Sequence, residues 1–177
     1  TATLDTPGFN HLPTIQNDGT QNRYAAPASF SSASNDYTMF AVVQQTNPNN
    51  GFDGYYLYDQ NAGGRFLFQQ GISAYSDALF FDGAVGPTTF GDAGFNLGVW
   101  RFDNGGTPTF DFRRNGADVT TSTDYDQTIT LSNDGEIGLR YTAGTATQFD
   151  GHISELLVYD STLDLATVQS IERYLDC

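Results

Sequence analysis

The chain contains no lysine. All seven cationic side chains are arginine, set against 18 Asp and only 3 Glu, for a formal net charge of -14. A polyanion of this kind lacks the cationic contacts that phosphate requires, so neither nucleic acid nor an anionic membrane surface is an expected partner. Cysteine is nearly absent as well: Cys177 stands alone and cannot form an intrachain disulfide. No apolar run approaches the roughly 20 residues that span a bilayer, and no membrane insertion is expected. Thr1 does not open a signal peptide, so any export signal was removed or lies outside this chain. Asn-x-Ser/Thr is missing, which excludes N-glycosylation. Walker and Gly-x-Gly-x-x-Gly motifs are missing too. His11 and His152 are the only histidines, too few and too far apart for zinc.

Turn formers and β formers are abundant. Eight Asn-Gly or Asp-Gly pairs occur, at Asp18, Asn50, Asp53, Asp82, Asn104, Asn115, Asp134 and Asp150. Such pairs tolerate the positive φ of tight hairpin turns. Short runs rich in Val, Ile, Phe, Tyr and Thr lie between them, the pattern of an all-β sandwich or barrel. Tyr37 to Gln44 is apolar at nearly every position, so both faces of that strand are expected to be covered. Further strands are read at 55–58, 65–68, 78–81, 99–103, 109–113, 117–120, 135–141 and 151–159. Across the Asn104-Gly105 turn, Trp100, Phe102, Phe110 and Phe112 alternate with Arg101, Asp103, Asp111 and Arg113. Period two places rings on one face and charges on the other. Trp100 is therefore read as core, and Arg113-Arg114 as a source of local ion pairs. One helix closes the chain, N-capped by Asp164, with Leu165, Val168, Ile171 and Leu175 on one face. It is expected to pack on the sandwich edge or to end near it. With 177 residues, no linker and no repeat, the chain reads as a single domain over 1–177, with 1–12 irregular.

Phe112 to Gly116, Ile137-Gly138 and the run Phe149-Asp150-Gly151-His152-Ile153-Ser154-Glu155 to Tyr159 resemble late strands of laminin-G-like, concanavalin A-like jelly rolls. Ser161 to Leu175 resembles their closing helix. Asn17 to Thr20 and Tyr37 to Val43 are similar to their opening turn and strand. The resemblance spans roughly 13–175 and implies an antiparallel two-sheet jelly roll with one concave face. It also implies an extracellular setting, on a cell or virion surface. Ser154 departs from the acidic residue often found before the late Glu, and Arg101 from the usual His after Trp100. The first departure weakens a family-type calcium site.

No catalytic set is recognisable. Glycoside hydrolysis needs two carboxylates roughly 5 to 9 Å apart. Glu136, Glu155 and Glu172 do not show the Glu-x-Asp-x-x-Glu spacing of jelly-roll glucanases. Glu155 is read as a hydrogen-bonded strand residue and His152 as a solvated one. Hard cations take carboxylate, amide and carbonyl oxygens. Asp18, Asn22 and Asp150 are the candidate structural Ca²⁺ ligands, with Asp53 and Asp59 as a second possibility. Asp before Gly is equally simple turn chemistry. Sugar binding needs aromatic faces for C–H surfaces and polar groups for hydroxyls. Phe52, Asp53, Tyr55 and Tyr56 supply both, as do Tyr75 and Asp82. The leading expectation is a non-catalytic extracellular carbohydrate-binding or adhesion module whose partner is a glycan. A structural or decoration subunit of a virion or surface filament, with protein partners, is the alternative. A polysaccharide hydrolase or lyase is the third reading.

Overall fold

The computed structural model describes residues 3–5, 14–18, 24–25, 36–45, 58–59, 65–70, 77–81, 84–88, 94–103, 105, 109–122, 136–137 and 150–176. Within them lie thirteen strands and one helix. In chain order the strands are β1 (Thr3–Asp5), β2 (Thr14–Asp18), β3 (Tyr24–Ala25), β4 (Tyr37–Gln45), β5 (Tyr58–Asp59), β6 (Arg65–Gln70) and β7 (Asp77–Phe81). They continue as β8 (Ala84–Thr88), β9 (Phe95–Asp103), β10 (Thr109–Arg114), β11 (Ala117–Ser122), β12 (Glu136–Ile137) and β13 (Asp150–Tyr159), followed by helix α1 (Leu165–Leu175). Seven pair in the order β1-β2-β13-β4-β9-β10-β11, and six in the order β3-β12-β5-β6-β7-β8. Every pairing is antiparallel. The all-β class with one C-terminal helix is therefore as the sequence indicated. Residues 1–12 are not wholly irregular, since Thr3–Asp5 adds an edge strand by pairing with Thr14 to Gln16.

The long apolar strand is central. Met39, Phe40, Ala41 and Val42 on β4 are all at most 2% exposed. Its neighbour β9 shows the alternation that sorts the two faces. Leu97 and Val99 join Phe40 and Val42 in a cluster completed by Val168 and Leu175 of the helix, with Leu157, Tyr159, Leu163 and Ile171 around it. On the other face Trp100 packs on Phe112 at a 5.1 Å ring separation, and Tyr37 on Phe102 at 4.4 Å. Trp100, Phe102, Phe112 and Tyr37 are buried, as period two requires.

The helix lies across the middle of the seven-stranded sheet, not at a sandwich edge as the sequence suggested. Three hydrogen bonds fix its approach after β13. Thr38 Oγ1 donates to the Ser161 carbonyl at 2.9 Å and accepts from the Leu163 amide at 2.9 Å. Thr162 Oγ1 donates to the Phe102 carbonyl. Asp164 then caps, accepting from the Thr167 amide at 2.8 Å. Val168, Glu172 and Leu175 turn inward, while Leu165 stays 43% exposed. Leu165 is thus not part of the buried stripe expected from its spacing.

Two bulges adjust what faces what. On β13 the register moves from Ile153↔Val43 to Glu155↔Val42, leaving Ser154 as the extra residue. On β11 it moves from Thr120↔Phe112 to Asp118↔Arg113, leaving Val119 over. The second bulge brings an aspartate opposite Arg113.

Candidate functional site

Of the residues singled out from sequence, Phe52, Asp53, Tyr55, Tyr56, Tyr75, Asp82 and Asn22 lie outside the described residues. Asp18 and Asp150 are described, and they occupy strand ends instead of turns. Asp18 closes β2, Asp150 opens β13, and the two are directly opposite in register. Asp59 also falls in a strand, opposite Glu136 on one side and Arg65 on the other. Among the described residues, no group of three or more His, Cys, Asp and Glu is placed to hold a metal ion. His152 is half-buried, not freely solvated: its Nδ1 lies 3.4 Å from Thr14 Oγ1, and its ring centroid is 6.2 Å from that of Phe95.

Among the described residues, the densest polar cluster joins the β10–β11 turn to the helix. Arg113 is 2% exposed and Glu172 5%. Arg113 Nε donates to Glu172 Oε1 at 3.0 Å and Nη2 to Oε2 at 3.1 Å, a bidentate fork. Nη2 also donates to the Gly116 carbonyl at 2.6 Å, and Nη1 to Asp118. The hydrogen bond to Glu172 raises the Arg113 pKa above its usual value, against the opposing effect of desolvation. Arg113 is the ion-pair residue that the sequence pattern indicated. Its principal partner, 59 positions away, carried no sequence signal.

The turn itself is rigid. Asn115 and Gly116 have φ of 48° and 78°, the left-handed conformation that Asn-Gly favours. The Asn115 amide donates to the Leu97 carbonyl at 2.9 Å, and Asn115 Oδ1 accepts from the Leu97 amide at 2.9 Å. The side chain thus takes the bond that a strand carbonyl would take, extending the β9–β10 ladder by one rung. Asn115 Nδ2 also donates to Asn96 Oδ1 at 3.3 Å. Beside this turn lies a cavity of about 350 Å³, lined by Leu97, Arg113, Asn115, Gly116, Gln169, Glu172, Arg173 and Asp176. Its turn was legible in the Asn-Gly pair, but the helix flank that faces it was not. That flank is only the polar side of an amphipathic helix, with nothing in its composition to set it apart.

No protein-family model matches the sequence, and no curated protein does. Solved structures do match the fold. Domain 4 of AbnA, a GH43 extracellular arabinanase from Geobacillus stearothermophilus, in complex with arabinotriose, is similar at a TM-score of 0.74 and 18% identity. That match covers 97% of this chain and 81% of the other. A native heptameric SAP-like pentraxin from Limulus polyphemus matches at 0.65 and 16% identity, covering 90% and 81%. Mouse laminin α1 domains LG4-5 match at 0.61 and 17% identity, covering 92% of this chain and 46% of that one. All three are concanavalin A-like jelly rolls, and at these identities the likeness establishes the fold: the chain has the concanavalin A-like jelly-roll architecture that the resemblance of its motifs implied.

Proposed function

We propose that the chain is a non-catalytic, extracellular carbohydrate-binding module. The observation that carries this reading is the near full-length likeness to a domain bound to arabinotriose. Composition adds support: an acidic, lysine-free chain with rings and amides crowded into the same loop segments suits hydroxyl-rich neutral ligands. Phe52, Asp53, Tyr55, Tyr56, Tyr75 and Asp82 are the proposed contacts. A glycan array, with arabinotriose among its probes, tests this. Binding that weakens when Tyr55 is made Ala supports the reading, and silence across plant, marine and bacterial polysaccharides overturns it.

Calcium enters the same proposal as a structural ion. Asp18 and Asp150 hold directly opposite register positions on β2 and β13, and hard cations take carboxylate oxygens. Asn22 is the proposed third ligand. A calcium-dependent rise in Tm that disappears in Asp150→Asn is the expected result, and an unchanged Tm in calcium and in EDTA contradicts the site.

One observation favours a second reading, polysaccharide hydrolysis. Glu136 and Asp59 hold directly opposite register positions, so one cross-strand pair carries two residues of the carboxylate type that glycoside hydrolysis uses. Reducing-end release from a polysaccharide panel, abolished in Glu136→Gln, would establish the enzyme. No release from any member of the panel leaves the binding module standing.

A further inference from the structure

The cavity between helix α1 and the Asn115-Gly116 turn lies on the helix-covered side of the seven-stranded sheet, and none of its lining residues is among the contacts proposed above. Its volume of about 350 Å³ falls within the ~300 to 1,000 Å³ range of small-molecule sites. We propose that it binds a short neutral saccharide or similar polyol, as a second site on the module.

Charge selects the ligand class. Two arginines, Arg113 and Arg173, and two carboxylates, Glu172 and Asp176, line the cavity. The site is formally neutral in a chain of net charge -14. An anion would meet Glu172 and Asp176, and a cation would meet Arg113 and Arg173. A neutral ligand meets neither penalty. A hydroxyl both donates and accepts, so it matches a lining of amides, guanidinium and carboxylate groups better than a ligand of one polarity does.

The lining divides into a fixed floor and an uncommitted rim. Asn115 is tied to Leu97 and Asn96, and Arg113 is held by Glu172, Asp118 and Gly116. These groups lose little freedom when a ligand arrives, which lowers the entropic cost of binding. The rim is different. The side chains of Gln169, Arg173 and Asp176 are exposed and make no hydrogen bond or ion pair among the described residues. They supply donors and acceptors that the fold does not consume. Leu97, 7% exposed, offers the one apolar wall for a ring's C–H surface. No aromatic ring lines the cavity, so binding is expected to be weak, in the millimolar range.

Proton–nitrogen NMR of the full chain, titrated with arabinotriose and then with glucose, sucrose and glucuronate, tests the site. The expected result is saturable shifts at the Asn115 side-chain amide, the Gly116 amide and Arg113 Nε–H. In the double variant Gln169→Ala/Arg173→Ala, losing about two hydrogen bonds should weaken binding about tenfold. Unchanged shifts at Trp100 Nε1–H would show that the fold is intact. Tyr55→Ala removes the loop site alone, so the cavity shifts should persist in it. Their persistence after the loop site is lost, or after arrays prove silent, separates the two proposals. The proposal is overturned by no saturable shift at these three groups, by equal affinity in the double variant, by a response to glucuronate alone, or by loss of the cavity shifts in Tyr55→Ala.

Discussion

On one face of the seven-stranded sheet, Tyr37, Trp100, Phe102 and Phe112 pack ring on ring across β4, β9 and β10. On the other, Phe40, Val42, Leu97 and Val99 meet an aliphatic helix stripe, and a buried arginine–glutamate fork locks that helix to β10. The two faces belong to the same strands but are closed by different physics. The ring face draws on large apolar area and cross-strand register, and it tolerates no added volume: a Cβ at Gly98 would come within 2.3 Å of the Trp100 ring. The helix face depends on a directional pair, whose removal of either partner strands a charge. Bulk closes one side, and complementarity closes the other.

The largest expected effect sharpens that contrast. Trp100→Ala should lower stability by about 4 kcal/mol, from lost transfer energy plus the cavity left behind, read from the urea midpoint. A loss smaller than that of Glu172→Ala would break the comparison. Glu172→Ala is expected to cost about 3 kcal/mol, because it takes the bidentate carboxylate from a buried Arg113 and leaves it only the exposed Asp118 as a counter-charge. The double replacement Arg113→Met with Glu172→Leu should recover most of that loss, by the same measurement. If the double variant stays as unstable as the single one, the helix face is held by the fork itself and not by avoidance of a stranded charge.

Gly98→Ala comes next, at about 2 kcal/mol, because the indole must shift to admit the methyl group. In a Trp100→Ala background the same change should cost almost nothing, a non-additivity that places the strain at one contact. The smallest effect is expected at the helix start. The Asp164 carboxyl is held below the ordinary carboxylate range, first by the hydrogen bond from the Thr167 amide and then by the Thr167 hydroxyl. Its contribution is present above the unfolded pKa and fades as pH falls through the lower folded value. Amide exchange at Thr167 should therefore quicken only in acid, and Asp164→Asn, which keeps an acceptor but does not titrate there, should remove that pH dependence.

The faces of β9 and β10 were legible because alternation along a strand is local: Trp100, Phe102 and Phe112 sort by period two from the sequence alone. The Asn115-Gly116 turn and the Asp164 cap were legible for the same reason, each being decided within a few residues. Where the helix docks was not legible. Its amphipathic stripe reports that one side is buried, not against what, and only its packing on Phe40 and Val42 of β4 and Leu97 and Val99 of β9 reveals the middle of the sheet. Strand ends were missed where pairing overrode turn chemistry. Asp150 reads as a turn residue ahead of a strand at 151–159, yet β2 recruits it into the ladder opposite Asp18. The single-residue bulges at Ser154 and Val119 leave no compositional trace, although the second decides that Asp118 meets Arg113.

The position of β13 has a consequence for how the molecule is made. This strand comes near the end of the chain but sits between β2 and β4, both from its first quarter. During synthesis β2 and β4 must wait, with their inner edges open, until the residues up to Tyr159 have left the ribosome. Closing so long a loop is entropically slow, so maturation is expected to be late and nearly all-or-none. A nascent chain halted before Asp150 would be the form most in need of a chaperone.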